Sequence, residues 1–310
     1  MVRQEFTYLS ADGMTSLHAV QWMPEGDVRT VLQLVHGVAE YILRYEPLAE
    51  FLTKQGFAVV GHDHVGHGLS VADHAPRLYF GPRGSWDWIV EDVRTLQVEI
   101  QQKFPDVPYF VLGHSMGSFL LRTYLARYPG TVDGAIIMGT SHSSTVALAV
   151  AKALADWQVR KLGEKTPSSI AMKLSFDAYN RKFAPTRTPY DWIAQSTTTV
   201  DAYLADPLCG GAPTIGLFRE MLEGMSIMIQ PETVRKMDAN LPVLFLSGAM
   251  DPVGNCGKDV EKAFRLFLQN GMKQVSMKLY PQLRHEILNE DCREDVFWDI
   301  LRWLTDHLPT

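Results

Sequence analysis

Residues 111–118 read VLGHSMGS. An apolar run ends at Gly113, Ser115 follows within two residues, and Gly117 lies two residues beyond it. The stretch MGSFLLRTYLARYPG (116–130) continues as a helix closed by Pro129 and Gly130. Ser115 therefore falls where a buried strand turns sharply into a helix. Such a turn tolerates little side chain on either side of the serine, which accounts for small residues at 113 and 117. The hydroxyl then projects beyond the strand's carboxyl end. The next backbone N–H groups open a helix, where donors are free and the dipole favours negative charge. That arrangement suits a hydroxyl that attacks a carbonyl and a site that receives the resulting oxyanion. The alternative is a tight turn whose serine only caps the helix.

The surrounding pattern supports a strand-and-helix context. EFTYLS (5–10) and SLHAVQWM (16–23), joined at Ala11-Asp12-Gly13, read as an antiparallel opening pair. TVLQLVH (30–36) and FAVVGHD (57–63) are continuous apolar runs of the kind found in buried parallel strands. YEPLAEFLTKQG (45–56) is a short helix stopped by Gly56. From Ser85 to Phe104 the spacing of Ile89, Val93, Leu96, Ile100 and Phe104 is helical, with Ser85 expected to cap the start and Pro105 to stop the end. DGAIIMGT (133–140) is a further strand. After 142 the alternation breaks into helical pieces rich in aromatic residues and methionine, Trp157, Trp192, Tyr203, Phe218 and Met225 among them. It resumes at Leu241 with LPVLFLSG, KDVEKAFRLFLQNG, QVSMKLYP and EDVFWDILRWLTDHL. The expected architecture is α/β: a mostly parallel central sheet flanked by helices, formed by 1–141 and 231–310, with a helical cap inserted at 142–230.

Composition narrows the function classes. The chain has 310 residues, 46% of them apolar, enough for one large domain with a sizeable core. The formal net charge is −6 and no Lys/Arg-rich run occurs, so nucleic acid is not an expected partner. Cys209, Cys256 and Cys292 are scattered and form no CxxC, so neither a disulfide framework nor a zinc knuckle is expected. MVRQEFTYLSADG lacks the apolar stretch of a signal peptide, and no run approaches a membrane span. The expected setting is the cytoplasm.

A serine nucleophile needs a general base and a carboxylate to orient it. G-x-S-x-G at a strand-to-helix turn resembles the nucleophile elbow of α/β-hydrolases, in which serine, acid and histidine follow one another along the chain. Of 10 histidines, His285 lies just past the last strand, in QVSMKLYPQLRHEILNE. Asp251 lies three residues past Gly248, after the preceding strand. The order Ser115, Asp251, His285 fits the template. Asp251 before Pro252 could instead initiate a turn, and His285 could cap a helix near Glu286. Glu290 and Asp291 are expected to start the last helix. In LVHGVAEYILRY (34–45), His36-Gly37 ends a strand, and Val38 N–H pairs with Met116 N–H as the expected oxyanion donors. Glu40 and Arg44 have opposite charge four residues apart; a surface helix pair and a buried pair ordering the oxyanion loop both stand open. HDHVGHGLS (62–70) matches no zinc spacing and reads as a loop beneath the site in which Asp63 and His67 are hydrogen-bonded.

HGVAEYILRY, HDHVGHGLS, GHSMGS, SGAMDPVG and HEILNE together resemble the monoacylglycerol lipase and lysophospholipase-like group of α/β-hydrolases, often grouped with the serine aminopeptidases. DPLCGGAPTIGLFREML (206–222) is similar to bacterial members. The resemblance covers nearly the whole chain. It implies Ser115 as nucleophile, Asp251 as acid, His285 as base, and Val38 and Met116 as oxyanion donors. Gly37, Glu40, Arg44, Gly113, His114 and Gly117 then support the site. Two departures stand out: Ser118 where the group has a second glycine, expected to tighten helix packing, and Val38-Ala39 where it commonly has smaller residues or glycine. The function implied is hydrolysis of monoacylglycerol, lysophospholipid or small acyl and aryl esters through an acyl-enzyme, with no metal or organic cofactor. An aminopeptidase of the same fold would need cap acids such as Asp177, Asp191, Asp201 or Glu220 to hold an α-ammonium. A silent binding protein is the remaining alternative. Peripheral membrane contact by the cap would need a basic amphipathic face.

Overall fold

A computed structural model describes residues 1–73, 75–174 and 176–308. Its elements in chain order begin with strands β1 (Val2–Leu9), β2 (Ser16–Met23) and β3 (Thr30–Val35), helix α1 (Glu46–Thr53) and β4 (Phe57–His62). Then come α2 (Ser85–Lys103), β5 (Tyr109–His114), α3 (Met116–Arg127) and β6 (Gly134–Met138). Between β6 and β7 (Val243–Gly248) lie α4 (Thr145–Leu162), α5 (Ser169–Leu174), α6 (Phe176–Asn180), α7 (Thr197–Ala205), α8 (Ile215–Met228) and α9 (Pro231–Arg235). The chain ends with α10 (Lys258–Gln269), β8 (Val275–Tyr280) and α11 (Arg293–Asp306).

The strands form one sheet in the order β1-β2-β4-β3-β5-β6-β7-β8. β1 and β2 run antiparallel and the strands from β4 to β8 pair in parallel. Every residue of β3, β4, β5, β6 and β7 is buried, as expected of parallel strands covered on both faces. One apolar cluster joins the sheet to α2, α3 and α10, and a second joins its other face to α1 and α11. Register brings the carboxyl ends level: Val35 pairs with Gly113, His114 with Met138, and Gly248 with Tyr280. The loops that leave these ends converge, which is where open α/β sheets place ligands.

The segment between β6 and β7 is fastened to the sheet-flanking helices chiefly through α8, which packs on α3 and α2. One of its fastenings replaces an expectation. Ser85 does not cap α2; its hydroxyl is buried without a hydrogen-bond partner. The Glu220 carboxylate on α8 instead accepts from Gly84 N (2.9 Å) and Trp86 N (3.1 Å), and Arg219 pairs with it at 3.0 Å. A charged acceptor at a helix N-terminus meets both the free donors and the dipole.

Candidate active site

At the end of β5 the chain turns through Ser115 with φ 53° and ψ −121°, a conformation that costs a non-glycine residue about 1–3 kcal/mol. The turn is over-determined by its neighbours. Ser115 N donates to Met138 O at 2.9 Å. A Cβ on Gly117 would lie 1.9 Å from Val35 O, and one on Gly113 would lie 2.4 Å from Gly117 O. The two glycines are therefore required by close backbone approach. Ser118 does something other than tighten packing: its hydroxyl donates to Ser115 O at 2.6 Å, alongside Ser118 N at 2.9 Å.

Asp251 and His285 come together from the loops after β7 and β8. His285 Nδ1 lies 2.9 Å from Asp251 Oδ2, and both side chains are buried. A carboxylate only accepts, so Nδ1 donates and the neutral ring keeps Nε2 as its basic nitrogen. Asp251 Oδ1 accepts from Val253 N at 2.9 Å, and Ser247 Oγ donates to Oδ2 at 3.3 Å. The alternatives are accommodated rather than excluded for Asp251, whose N–H also closes a turn on Gly248 O. No helix starts at Glu286; α11 begins at Arg293.

Glu40 and Arg44 are a buried pair. Glu40 Oε1 accepts from Gly37 N (2.6 Å), Tyr45 OH (3.0 Å) and His114 Nδ1 (2.9 Å), while Oε2 takes Arg44 Nη1 at 3.0 Å. Arg44 also forks onto Glu286, Nη1 to Oε1 at 2.8 Å and Nη2 to Oε2 at 2.6 Å. Burial would raise the Glu40 carboxyl, but the His114 bond and nearby Arg44 reverse this and hold it well below the usual range. Burial likewise opposes charge on His114, and Glu40 overcomes it, so the His114 pKa is raised. Two cations thus balance two carboxylates. The network joins the loop after β3 at Gly37, the elbow at His114 and the histidine loop at Glu286. His114 Nε2 reaches the His285 carbonyl at 3.3 Å. Val38 follows directly on this anchored glycine, and Ala39, at φ 58°, offers its carbonyl to Tyr203 OH (3.0 Å) and Gly210 N (2.9 Å). Met116 opens α3, so its N–H lies ahead of the helical ladder.

The loop at 62–70 supports this from behind. Asp63 accepts from Ile42 N (2.8 Å), Leu69 N (2.9 Å) and His18 Nδ1 (2.9 Å), and His67 Nδ1 lies 3.1 Å from Val65 O. Burial pushes His62 and His67 down to about 3, so they are neutral internal rings.

Ser115, His285 and Val38 open onto a cavity of about 260 Å³. The body contributes Phe119 and Val253 to its walls. The segment between β6 and β7 contributes Leu148, Phe218, Met221, Leu222, Met225, Tyr179, Trp192 and Tyr203.

The family model described as serine aminopeptidase, S33, matches residues 26–292. The chain belongs to that family. It is 30% identical to monoacylglycerol lipase of Mycolicibacterium smegmatis, covering 99% of this chain and 98% of the relative. Human monoglyceride lipase is 26% identical, over 97% and 90% of the two chains. Among solved structures, a thermostable carboxyl esterase from Bacillus coagulans in complex with glycerol superposes with a TM-score of 0.91 at 30% identity, covering 99% of each chain. The fold is that of the α/β-hydrolases, and the relatives make this an esterase and lipase family of hydrolases. No helix among the described residues is long and apolar enough to cross a membrane.

Three contributors to the site escape sequence reasoning. Glu286 directly follows His285, and nothing local in the sequence ties it to Arg44, 242 residues away. Glu290 does not start α11: its carboxylate accepts from Gln195 N (2.9 Å) and Ser196 N (3.1 Å) of the insertion. Trp192 is one of many aromatic residues between 142 and 230, and no local signal separates it from core tryptophans.

Proposed function

We propose that this chain is a serine hydrolase that cleaves carboxylic esters of apolar acyl groups, monoacylglycerol, lysophospholipid or small acyl and aryl esters, through an acyl-enzyme. Residues 142–230 act as a cap over the nucleophile. The observation that carries this reading is that Ser115 and the Asp251-bound His285 share one cavity with apolar side chains, Phe218, Met221 and Met225 among them. Methionine and phenylalanine accommodate a flexible chain without demanding a fixed shape. Ser115 Oγ attacks the ester carbonyl while His285 Nε2 takes its proton. Asp251 stabilises the imidazolium, and Val38 N–H and Met116 N–H receive the oxyanion. The imidazolium protonates the leaving alcohol. Water, activated by the same histidine, then releases the acid.

Among the described residues, the acids that an aminopeptidase would use for an α-ammonium are engaged elsewhere or exposed. Glu220 caps α2, Asp191 accepts from Arg187 N and Thr188 N, and Asp201 pairs with Arg187 at 2.6 Å. Asp177 is exposed. The cavity's own acids, Glu40 and Glu286, are both engaged by Arg44. Turnover of p-nitrophenyl esters of rising chain length against aminoacyl anilides tests the assignment. Esters should be cleaved with an optimum in chain length, and anilides at least about a hundredfold more slowly. Faster anilide cleavage would reverse the assignment.

A further inference from the structure

The imidazole of His285 is held at its edge by Asp251, but one hydrogen bond leaves a ring free to rock about χ2. Two aromatic rings flank it. His114 lies 4.7 Å away between centroids, tilted by 41°, and belongs to the body. Trp192 lies 5.2 Å away, tilted by 40°, and belongs to the insertion. Trp192 is 5% exposed and its own seat is built: Trp192 N donates to Asn180 Oδ1 at 3.1 Å, and Asn180 Nδ2 donates to Thr188 O at 2.7 Å. The segment around it is tied to the histidine loop on both sides of His285. Arg284 donates to Asp191 O and, at 3.0 Å, to Ala194 O; Glu286 N donates to Ile193 O at 2.7 Å. Glu290 accepts from Gln195 N and Ser196 N. Such lacing exceeds what a covering wall requires.

We propose that Trp192 is a positioning residue for His285, supplied by the cap, which holds the imidazole in its working orientation and steadies the imidazolium formed during proton transfer. The proposal rests on the serine-hydrolase reading. An aromatic ring within about 6 Å of a cation attracts it through its quadrupole. The other charged groups around the ring are Asp251 at Nδ1, Glu286 and Arg284 on its own loop, and His114 with Glu40 and Arg44 behind it. His114 is a cation when paired with Glu40, so it opposes charge on His285, and the indole offsets that opposition. Removing the indole also opens a void into which the ring can turn.

The test compares Trp192→Leu, which keeps an apolar filler, with Trp192→Phe, which keeps an aromatic face. Both are assayed with p-nitrophenyl acetate across pH, a substrate too short to sense the acyl wall. Trp192→Leu should lower kcat by about tenfold and move the acidic limb of kcat/KM down by several tenths of a pH unit, with KM within about threefold. Trp192→Phe should recover most of both changes. Unchanged kcat and pH profile in Trp192→Leu, or equal behaviour of Leu and Phe, overturns the proposal. Should Trp192→Leu not fold, wild type decides: the His285 ring proton resonance, assigned by its loss in His285→Gln, should lie upfield through the indole ring current, and an unshifted resonance overturns the proposal. Ser115→Ala in the same assay separates the two claims. If turnover survives Ser115→Ala, the serine reading fails. If it vanishes there while Trp192→Leu behaves as wild type, only the positioning role fails.

Discussion

Ser115 and His285 reach the same cavity from strands of different kinds. β5 is central, buried along its whole length, and its neighbours β3 and β6 bring Val35 and Met138 against the elbow. Backbone contacts of that core set Ser115, down to the absence of room for a Cβ at Gly113 and Gly117. β8 is an edge strand and only Tyr280 of its residues is buried. The loop beyond it does touch the sheet's end: Met250 N donates to Leu283 O at 3.0 Å, and a Cβ on Gly248 would lie 2.1 Å from Leu283 O. Side-chain bonds from elsewhere add to this: Arg44 through Glu286, the elbow through His114, and the segment between β6 and β7 through Glu290, Arg284 and Trp192. The proposed nucleophile is thus positioned by packing, and the proposed base by packing together with polar and aromatic contacts of long sequence separation. The base should be the more easily disturbed half.

The largest effect should come from breaking the packed side. Gly117→Ala sets a methyl against the Val35 carbonyl and should cost at least about 5 kcal/mol, read from urea unfolding, or yield no folded protein. A well-folded Gly117→Ala of wild-type stability would contradict the packing account. Next is Arg44→Met, which leaves Glu40 and Glu286 buried without their shared cation and should cost about 3–5 kcal/mol. Adding Glu286→Gln should cost less than the sum of the single changes, because the two residues act as a unit.

A smaller effect sharpens the contrast between the halves. Glu290→Gln should cost about 1–3 kcal/mol and raise amide exchange at Gln195 and Ser196 while leaving β5 protected. Equal loosening of both regions would erase the distinction. The smallest effect is a pH slope. Glu40 has a lowered folded-state pKa, so its contribution is present above 4.5 and fades as pH falls through the folded value. His114 has a raised one, so its contribution is full below 6.5 and is lost as pH rises through the folded value. The stability difference between wild type and Glu40→Gln should therefore be greatest between these two pH values and shrink on the alkaline side, by less than about 1.4 kcal/mol per pH unit. A difference that grows above pH 7 would contradict the charged pair.

The same contrast explains what the sequence discloses. The elbow is legible at 113–117 because close backbone approach demands small residues at fixed spacing. Asp251 and His285 can be singled out because each follows a strand whose apolar run is visible, and their side chains do meet. Glu286, Glu290 and Trp192 are not legible in this way. Their partners lie 242, 95 and 93 residues away, at Arg44, Gln195 and His285, and no local pattern announces such pairings. The capping of α2 fails for the same reason: Ser85 carries the expected local signal, whereas the acceptor is Glu220, 136 residues from Gly84. The even choice left open for Glu40 and Arg44 resolves as buried once Glu286 and His114 are seen around them.

The central claim is that Ser115 is a nucleophile activated by His285. Its most direct measurement is covalent labelling by a fluorophosphonate, with the adduct located by peptide mass spectrometry. The account predicts one adduct per chain, on Ser115, absent in Ser115→Ala and slowed by at least about a hundredfold in His285→Gln. Labelling on another residue, or at an undiminished rate in either variant, would contradict it.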